Sequence, residues 1–326
     1  MPNTSLLPLL SSGMFVSGQD LADLLGVSRT AVWKQLNKLE ELGLEIESVK
    51  GKGYRIPGGI TLLDEQAVRD TMAVDSLPLL AMLDLRDAIG STNAEAMSQI
   101  AAGRGSGYVC TAEQQTAGRG RRGREWVSPY ARNLYLSAVW EYEQGAAVLE
   151  GMSLAVGVVV ARALAACGVP PVQLKWPNDL LYEGAKLGGI LLEMTGDPAG
   201  ACQVVVGIGV NVSMPGKAAE GIDQSWTDVS RINSGSPLDR NLLLAAILDE
   251  LLPMLASFEA TGFEAWRDEW LLLDAYAGAD VVLHSGNKKT AGKATGVDER
   301  GALLLQTVSA GVQAIYGGEI SLRPAS

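Results

Sequence analysis

The stretch Gly118-Arg119-Gly120-Arg121-Arg122-Gly123-Arg124-Glu125-Trp126 decides between two folds. Its spacing Gly118-x-Gly120-x-x-Gly123 matches the dinucleotide fingerprint G-x-G-x-x-G, which would make this region a Rossmann unit. That fingerprint needs a helix opening at its last glycine, because the helix N-terminus holds the pyrophosphate. The next residues are instead Trp126-Val127-Ser128-Pro129, a poor helix start, and then Asn133 to Trp140, which alternates like a strand. Tyr108 to Ala112, ahead of the loop, also reads as a strand. The segment is therefore a loop between two strands. A protein-kinase glycine loop fails as well, since a chain whose single histidine is His284 has no catalytic H-R-D. No G-x-x-x-x-G-K-[ST] loop is present.

The loop places four arginines and three glycines in nine residues of a chain whose formal net charge is −11. Guanidinium forks suit phosphate and carboxylate oxygens, and the glycines permit unusual backbone angles. Like charges this close repel, so the loop is expected to be mobile when empty and ordered by an anionic ligand. On these residues alone, a solvated basic loop or one binding nucleic acid is the alternative.

The 326 residues are enough for two or three domains, and a hydrophobic content of 47% supplies their cores. The start, Met1 to Phe15, lacks a basic n-region and a long apolar core, so no secretory signal is expected. The best membrane-span candidate, Leu154 to Val169, is interrupted by Arg162 and is short, which predicts a buried helix and no membrane partner. Cys110, Cys167 and Cys202 are odd in number and widely spaced, which reads as buried thiols in a reducing cytoplasm. With one histidine, most Ser-His-Asp, Cys-His and histidine-rich metal chemistry is removed, and no metal site built from protein side chains is expected. The acidic balance argues against non-specific nucleic-acid binding by the whole chain, but not against a local basic surface.

Residues 1–60 stand apart. Ser17 to Gly43 reads as helix, tight turn, helix: Gln19 to Leu25, then Gly26-Val27-Ser28, with Ser28 capping the second helix. Val32, Leu36 and Leu39 recur at helical spacing and face inward, leaving Arg29, Thr30, Lys34, Asn37 and Lys38 outside. Leu44 to Ile56 forms two alternating runs around the tip Gly51-Lys52-Gly53. A helix-turn-helix with a basic-tipped hairpin is a winged helix, and the DNA-binding candidates are Ser28, Arg29, Thr30, Lys34, Lys38 and Lys52. An ordinary two-helix packing unit with a surface hairpin is the alternative. Six Lys/Arg balance six Asp/Glu over residues 1–60, so one copy should bind DNA weakly and a dimer is needed for tight binding. Pro57-Gly58-Gly59 reads as a linker.

From about residue 65 to 270, helices alternate with strands, and from about Leu273 short Gly-punctuated strands predict a small barrel. Ser91-Thr92-Asn93 opens a helix, with Thr92 and Glu95 spaced as a capping box and Asn93 left to bind a small polar ligand. Lys175-Trp176-Pro177-Asn178-Asp179 makes a Trp-Pro turn and an Asn-Asp pair, and Lys186 enters a strand. Gly207, Gly209 and Asn211 share one strand face. Glycines weaken strands unless something approaches the backbone, so either a flat ligand lies there or the strand is bulged.

Together these segments resemble the bifunctional biotin protein ligases, which are also biotin operon repressors, over almost the whole chain. The resemblance rests on the winged helix, on Ser91-Thr92-Asn93, on AGRGRRGREW (Ala117–Trp126), and on KWPND (Lys175–Asp179) with KLGGIL (Lys186–Leu191). It extends to GIGVNV (Gly207–Val212), GVDERGALLL (Gly296–Leu305) and GGEISL (Gly317–Leu322). One departure is SPYARNLYLS (Ser128–Ser137), where Arg132 stands in place of the family's usual glycine and alters the local turn.

The resemblance implies an α+β protein with three units. These are a winged helix over 1–60, an α/β ligase domain with a mixed sheet over 65–270, and a small SH3-like β-barrel over 273–326. It implies two half-reactions: biotin and Mg-ATP give biotinyl-5′-AMP, and a lysine of a biotin carboxyl carrier protein then takes the biotin. Ser91, Thr92, Asn93, Gln115, Arg119, Gly120, Arg121 and Lys186 are implied to contact biotin or its acyl phosphate, over a floor of Gly189, Gly207 and Gly209. Arg119, Arg121, Arg122, Arg124, Asn178, Lys186 and Asn211 are implied on the nucleotide. Trp226 either stacks on the adenine or anchors a surface loop. Lys186 and Arg121 stabilise the reacting phosphate; Asp179 either orients or deprotonates the acceptor lysine or caps a turn. The adenylate is further implied to induce a homodimer that binds a pseudo-palindromic operator. A lipoate-type ligase and a biotin-sensing regulator without ligase activity are the competing readings.

Overall fold

A computed structural model describes residues 6–236, 238–285, 288–316 and 320–324. Gly317, Gly318 and Glu319 of the terminal motif, and Met1 to Ser5, lie outside the described residues.

The N-terminal unit begins with α1 (Leu7–Leu10), α2 (Gly18–Leu25) and α3 (Arg29–Glu41). Ser17 caps α2 through Oγ, which accepts from Asp20 N at 3.0 Å, and Gly26 closes it at φ +62°. Ser28 caps α3, its Oγ accepting from Ala31 N at 3.2 Å. Val32, Leu36 and Leu39 are buried against Leu7, Leu10, Leu21 and Ile56. The wing is β1 (Glu47–Val49) paired antiparallel with β2 (Gly53–Arg55), and Lys52 is exposed at its tip. Gly53 is required there: its φ is +108°, and a Cβ would sit 2.1 Å from Val16 O.

The expected linker is not a slack tether. Ile60 N donates to Ser11 O at 2.9 Å, and Arg132 Nη1 donates to Gly59 O at 3.1 Å. Tyr130 and Ala131 join the small core of the winged helix. The altered turn at the Arg132 position has its cause here, because Ala131 takes the left-handed conformation (φ 54°) and Arg132 reaches across to the other unit. Further along, the buried Arg240 and Glu113 pair at 2.6 Å and seize the backbone of Thr61 and Leu63. Asn241 grips Asp64 N and Leu62 O.

The central unit opens with α4 (Glu65–Thr71), β3 (Met82–Ile89), α5 (Thr92–Ala101), β4 (Tyr108–Gln115), β5 (Leu134–Tyr142) and α6 (Met152–Ala166). It continues with β6 (Gln173–Lys175), β7 (Asp179–Tyr182), β8 (Ala185–Gly196), β9 (Cys202–Val210), α7 (Val229–Ile232), α8 (Arg240–Thr261) and α9 (Glu264–Leu273). Its seven-stranded sheet runs β3-β4-β5-β9-β8-β7-β6; only β3 and β4 pair in parallel, so the sheet is mixed. The apolar run from Leu154 is a buried helix as expected, with Ala155, Val156, Val158, Val159 and Val160 all shut off from solvent. Arg162 leaves that core sideways, paired with Glu250 and Glu269 over the Trp266 ring.

Among the described residues it is α8, not the run from Leu154, that is long and apolar enough to cross a membrane, a feature the sequence patterning does not single out. Its Leu244, Leu248, Leu251 and Leu255 are fully buried in the same core as α6. Each such burial contributes about 1.5–3 kcal/mol. The C-terminal unit is β10 (Asp280–Ser285), β11 (Lys288–Val297), β12 (Leu303–Thr307), β13 (Gly311–Ile315) and β14 (Ile320–Pro324), an antiparallel sheet in the order β13-β12-β11-β10-β14. Trp176 ties it to the central unit, its Nε1 donating to Gly301 O at 3.0 Å. Cys110 and Cys202 are buried free thiols as expected, whereas Cys167, just past the end of α6, is only half-buried; burial pushes the Cys110 thiol up to about 12.

Candidate active site

The arginine loop joins β4 to β5 and folds as a small hairpin. Trp126 N donates to Gly118 O at 2.9 Å and Gly120 N to Arg124 O at 2.8 Å, with Arg122 in the left-handed region at the turn. The hairpin crosses a cleft of about 790 Å³ that opens on the β8–β9 face of the sheet. Arg121 Nη1 donates to Asn178 Oδ1 at 3.0 Å, and Arg119 reaches Glu193 at 3.5 Å. Burial lowers the Arg121 pKa, and the neighbouring Asp179 opposes that shift.

The glycine face has a protein explanation before any ligand is considered. Gly189 pairs with Gly209 across β8 and β9, and Leu191 pairs with Gly207. A Cβ on Gly209 would lie 2.7 Å from the Trp126 ring, and one on Gly207 would lie 2.2 Å from Asn93 Oδ1. The β5–β9 register is continuous from Leu134 to Tyr142, so the strand is not bulged. Instead, the missing side chains let an indole and an amide lie on the sheet.

At the inner end, α5 starts at Thr92 with Ser91 at its N-cap position. This corrects the capping box. Thr92 N donates to Gln115 Oε1 at 2.9 Å, while Glu95 is held by Arg86. Asn93 Nδ2 donates to Glu193 Oε2 at 2.7 Å, and Ser137 Oγ lies 2.8 Å from Thr92 Oγ1 and 2.6 Å from Asn93 Oδ1. Gln115 Nε2 donates to Ser128 Oγ at 3.2 Å. The result is a compact set of amides and hydroxyls, nearly all buried, that presents both donors and acceptors.

At the outer end, β7 and β8 bring charge together. Asp179 stands opposite Gly189, with Lys186 Nζ 2.6 Å from its Oδ1 and Lys175 Nζ 3.5 Å from its Oδ2. Burial lowers the Lys175 pKa, Asp179 raises it and Lys186 lowers it further. Lys186 Nζ also sits 5.5 Å from the Trp126 ring centroid. No turn-capping bond from the Asp179 side chain is seen among the described residues; its partners are ammonium groups.

Of the residues singled out in the sequence, Ser91, Thr92, Asn93, Gln115, Arg119, Gly120, Arg121, Arg122, Arg124, Asn178, Asp179, Lys186, Gly189, Gly207 and Gly209 all line this cleft. Asn211 and Trp226 do not line it in this structure. Asn211 is buried, its Nδ2 donating to Thr227 O at 3.1 Å. Trp226 bridges in parallel to Lys186 and carries Arg231 on its ring at 3.8 Å, so its loop-anchoring contacts are the ones present. Asp223 and Gln224 of the same segment do line the cleft. Sequence reasoning passed over Trp126, Ser137, Lys175, Glu193 and Arg323. Trp126 and Lys175 stand inside the arginine-loop and Lys-Trp-Pro-Asn-Asp motifs, whereas Ser137, Glu193 and Arg323 reach the site only through strand register and domain contact. On the winged helix, Arg29, Thr30, Lys34 and Lys38 lie exposed along α3. Among the described residues, no group of three or more His, Cys, Asp or Glu side chains is placed to hold a metal ion.

A winged helix joined to an α/β cleft with convergent lysines, arginines and a glycine floor defines a nucleic-acid-binding fold fused to an anion-binding α/β domain. Residues 91–211 match the biotin/lipoate A/B protein ligase family, residues 4–55 an HTH domain, and residues 278–323 the biotin protein ligase C-terminal domain. The chain is 40% identical over 321 residues to the bifunctional ligase/repressor BirA of Salmonella typhimurium, covering 98% of this chain and 97% of that one. It is 31% identical over 312 residues to the protein of the same description from Bacillus subtilis, covering 94% of each. The structure of an Aquifex aeolicus biotin protein ligase in complex with biotin and ATP superposes with a TM-score of 0.64 at 30% identity, over 75% of this chain and all of that one. The chain belongs to the biotin/lipoate A/B protein ligase family, among its bifunctional ligase/repressors.

Proposed function

We propose that this protein is an ATP-dependent biotin protein ligase whose adenylate-bound dimer represses the biotin biosynthesis operon. The observation that carries the reading is the row Lys175–Asp179–Lys186 beside the arginine hairpin, at the open end of a cleft whose closed end is lined with amides and hydroxyls. The closed end suits a ureido ring, which both donates and accepts hydrogen bonds, lying where Asn93, Thr92 and Gln115 converge. The biotin carboxylate then points at Lys186 and the arginines.

In the first step a carboxylate oxygen attacks the α-phosphorus of ATP and pyrophosphate leaves. One anion approaches another, so Lys186, Lys175, Arg119 and Arg121 offset the repulsion and stabilise the charge that develops on the phosphate oxygens. Arg122, Arg124, Asn178, Asn211 and Trp226 complete the nucleotide site, with Trp226 stacking on adenine once its loop turns inward. Mg²⁺ enters with ATP, and we assign it no ligand from the chain. In the second step the amine of a carrier lysine attacks the acyl carbon, the C–O bond to phosphate breaks and AMP leaves. Phosphate oxygens that occupy Lys186 and Lys175 release Asp179, which orients the incoming amine and takes its proton. The carrier is a biotin carboxyl carrier protein.

Repression needs two copies. Beyond Ile190, β8 pairs with β9 alone among the described residues, leaving an open strand edge on the catalytic unit for a second copy. Two winged helices then address two half-sites through Ser28, Arg29, Thr30, Lys34, Lys38 and Lys52. We take the units as residues 1–60, 65–270 and 273–326, the last closing as an SH3-like barrel, in a cytoplasmic protein.

The deciding experiment incubates the protein with ATP, labelled biotin and an apo-carrier. Label on the carrier together with pyrophosphate release is the expected result. Adenylate formed without carrier labelling leaves a sensor, and preference for lipoate in place of biotin leaves a different ligase.

A further inference from the structure

The exposed face of α3 carries one residue that neither the core nor the charge pattern accounts for. Trp33 is 55% exposed, whereas Val32 and Leu36 beside it are at 1% and 2%. Arg29, Thr30, Trp33, Lys34 and Asn37 lie on one side of the helix, because residues four apart stack along a face. A single exposed apolar side chain is ordinary by itself; what sets Trp33 apart is that its indole lies on the same helix face as Arg29 and Lys34.

The surroundings identify a partner. Acidic residues enter α3 only at its last two positions, Glu40 and Glu41, and Arg29, Lys34 and Lys38 form no ion pair among the described residues. Lys52 stands at the wing tip on the same unit. Between helix and wing runs a groove lined by Trp33, Asn37, Ile46, Ser48 and Tyr54, with the acidic Glu40 lining it from the C-terminal end of α3. Cations therefore flank an aromatic near the N-terminus of a recognition helix, which is the part of such a helix that enters the major groove. The apolar group presented there by base pairs is the thymine 5-methyl.

We propose that Trp33 reads sequence, its indole packing on thymine methyl groups in the major groove while Arg29, Lys34 and Lys38 hold the phosphates. This rests on the DNA-binding function proposed for the winged helix and adds to it the residue that discriminates between bases.

The test uses the full-length protein with biotin and ATP, and duplexes enriched by the wild type from a randomised pool. Trp33→Ala should lose about tenfold in affinity for the enriched duplex. It should retain its affinity for an unrelated duplex, its thermal stability and its carrier labelling. Replacing single thymines by deoxyuridine should weaken the wild type about threefold at one or two positions, the worth of a buried methyl. Trp33→Ala should be indifferent at those same positions, and Trp33→Phe should recover part of the effect. An unchanged affinity and an unchanged thymine-to-deoxyuridine profile in Trp33→Ala would overturn the inference. So would a change in self-association with DNA binding intact, which would make Trp33 a contact between copies. If the wild type enriches no sequence, the DNA-binding reading fails first and this one with it.

Discussion

Lys186 Nζ lies 2.6 Å from Asp179 Oδ1, across the strand pair that also sets Asp179 opposite Gly189. In the proposed reaction a phosphate oxygen takes this carboxylate's place on Lys186. Lys186→Ala should therefore remove charge stabilisation in the first step and cut pyrophosphate release by at least about 10²-fold. Circular dichroism should report an unchanged fold. Near-normal pyrophosphate release would show that the lysine is misassigned.

Asp179→Asn separates the two steps. Adenylate formation should persist, because both lysines remain, while transfer from isolated adenylate to carrier should fall about 10²-fold, the usual contribution of a general base. Equal losses in both steps, measured in single turnovers, would reduce Asp179 to a positioning residue.

Arg121 anchors the hairpin to Asn178 at 3.0 Å. Arg121→Gly should loosen the lid over the adenylate, so that free biotinyl-5′-AMP accumulates in solution and labels lysines of bystander proteins. Full retention of the adenylate on the protein, by rapid gel filtration, would count against this role.

Gly209→Ala tests the ring on the sheet. The new methyl group would sit 2.7 Å from Trp126, which forces the hairpin to move. Overpacking of this kind costs about 1–3 kcal/mol. The expected readout is a loss of biotin affinity in calorimetry and a shift in tryptophan fluorescence, with the melting temperature lowered only slightly.

Asp274 supplies a pH test. Burial raises its pKa, a bond from the backbone of Tyr276 opposes the shift, and its Oδ2 is buried without a partner among the described residues. A carboxyl raised in the folded state binds protons more readily there than when unfolded. Wild type should therefore lose stability relative to Asp274→Asn as pH rises from the ordinary carboxylate value through the folded one, and the gap should close below it. Urea denaturation at pH 3.5 and 7 checks the sign.

Much of this site was legible in the sequence because its residues sit in local motifs. The absence of a helix after Gly123 excluded the Rossmann reading, and capping by Ser28 with the spacing Val32-Leu36-Leu39 placed the recognition helix. The residues that escaped depend on contacts between distant segments. Glu193 meets Asn93 only because β8 folds back beside β9 and under α5. Thr92 looked like a capping residue, but Gln115, twenty-three positions later, competes for it and wins. The glycine run announced a close approach without saying that the approaching group would be Trp126. Pro57-Gly58-Gly59 carries every compositional mark of a tether, and composition cannot reveal that Arg132 and Arg240 wait on the other side.

That captured neck limits what the two reading heads of the proposed dimer could do. With Thr61 to Asp64 held by Arg240, Glu113 and Asn241, neither head would swivel to suit its site, so the proposed two-fold assembly would act as a ruler of fixed length. Such a ruler tolerates substitutions within each half-site far better than one added base pair between them.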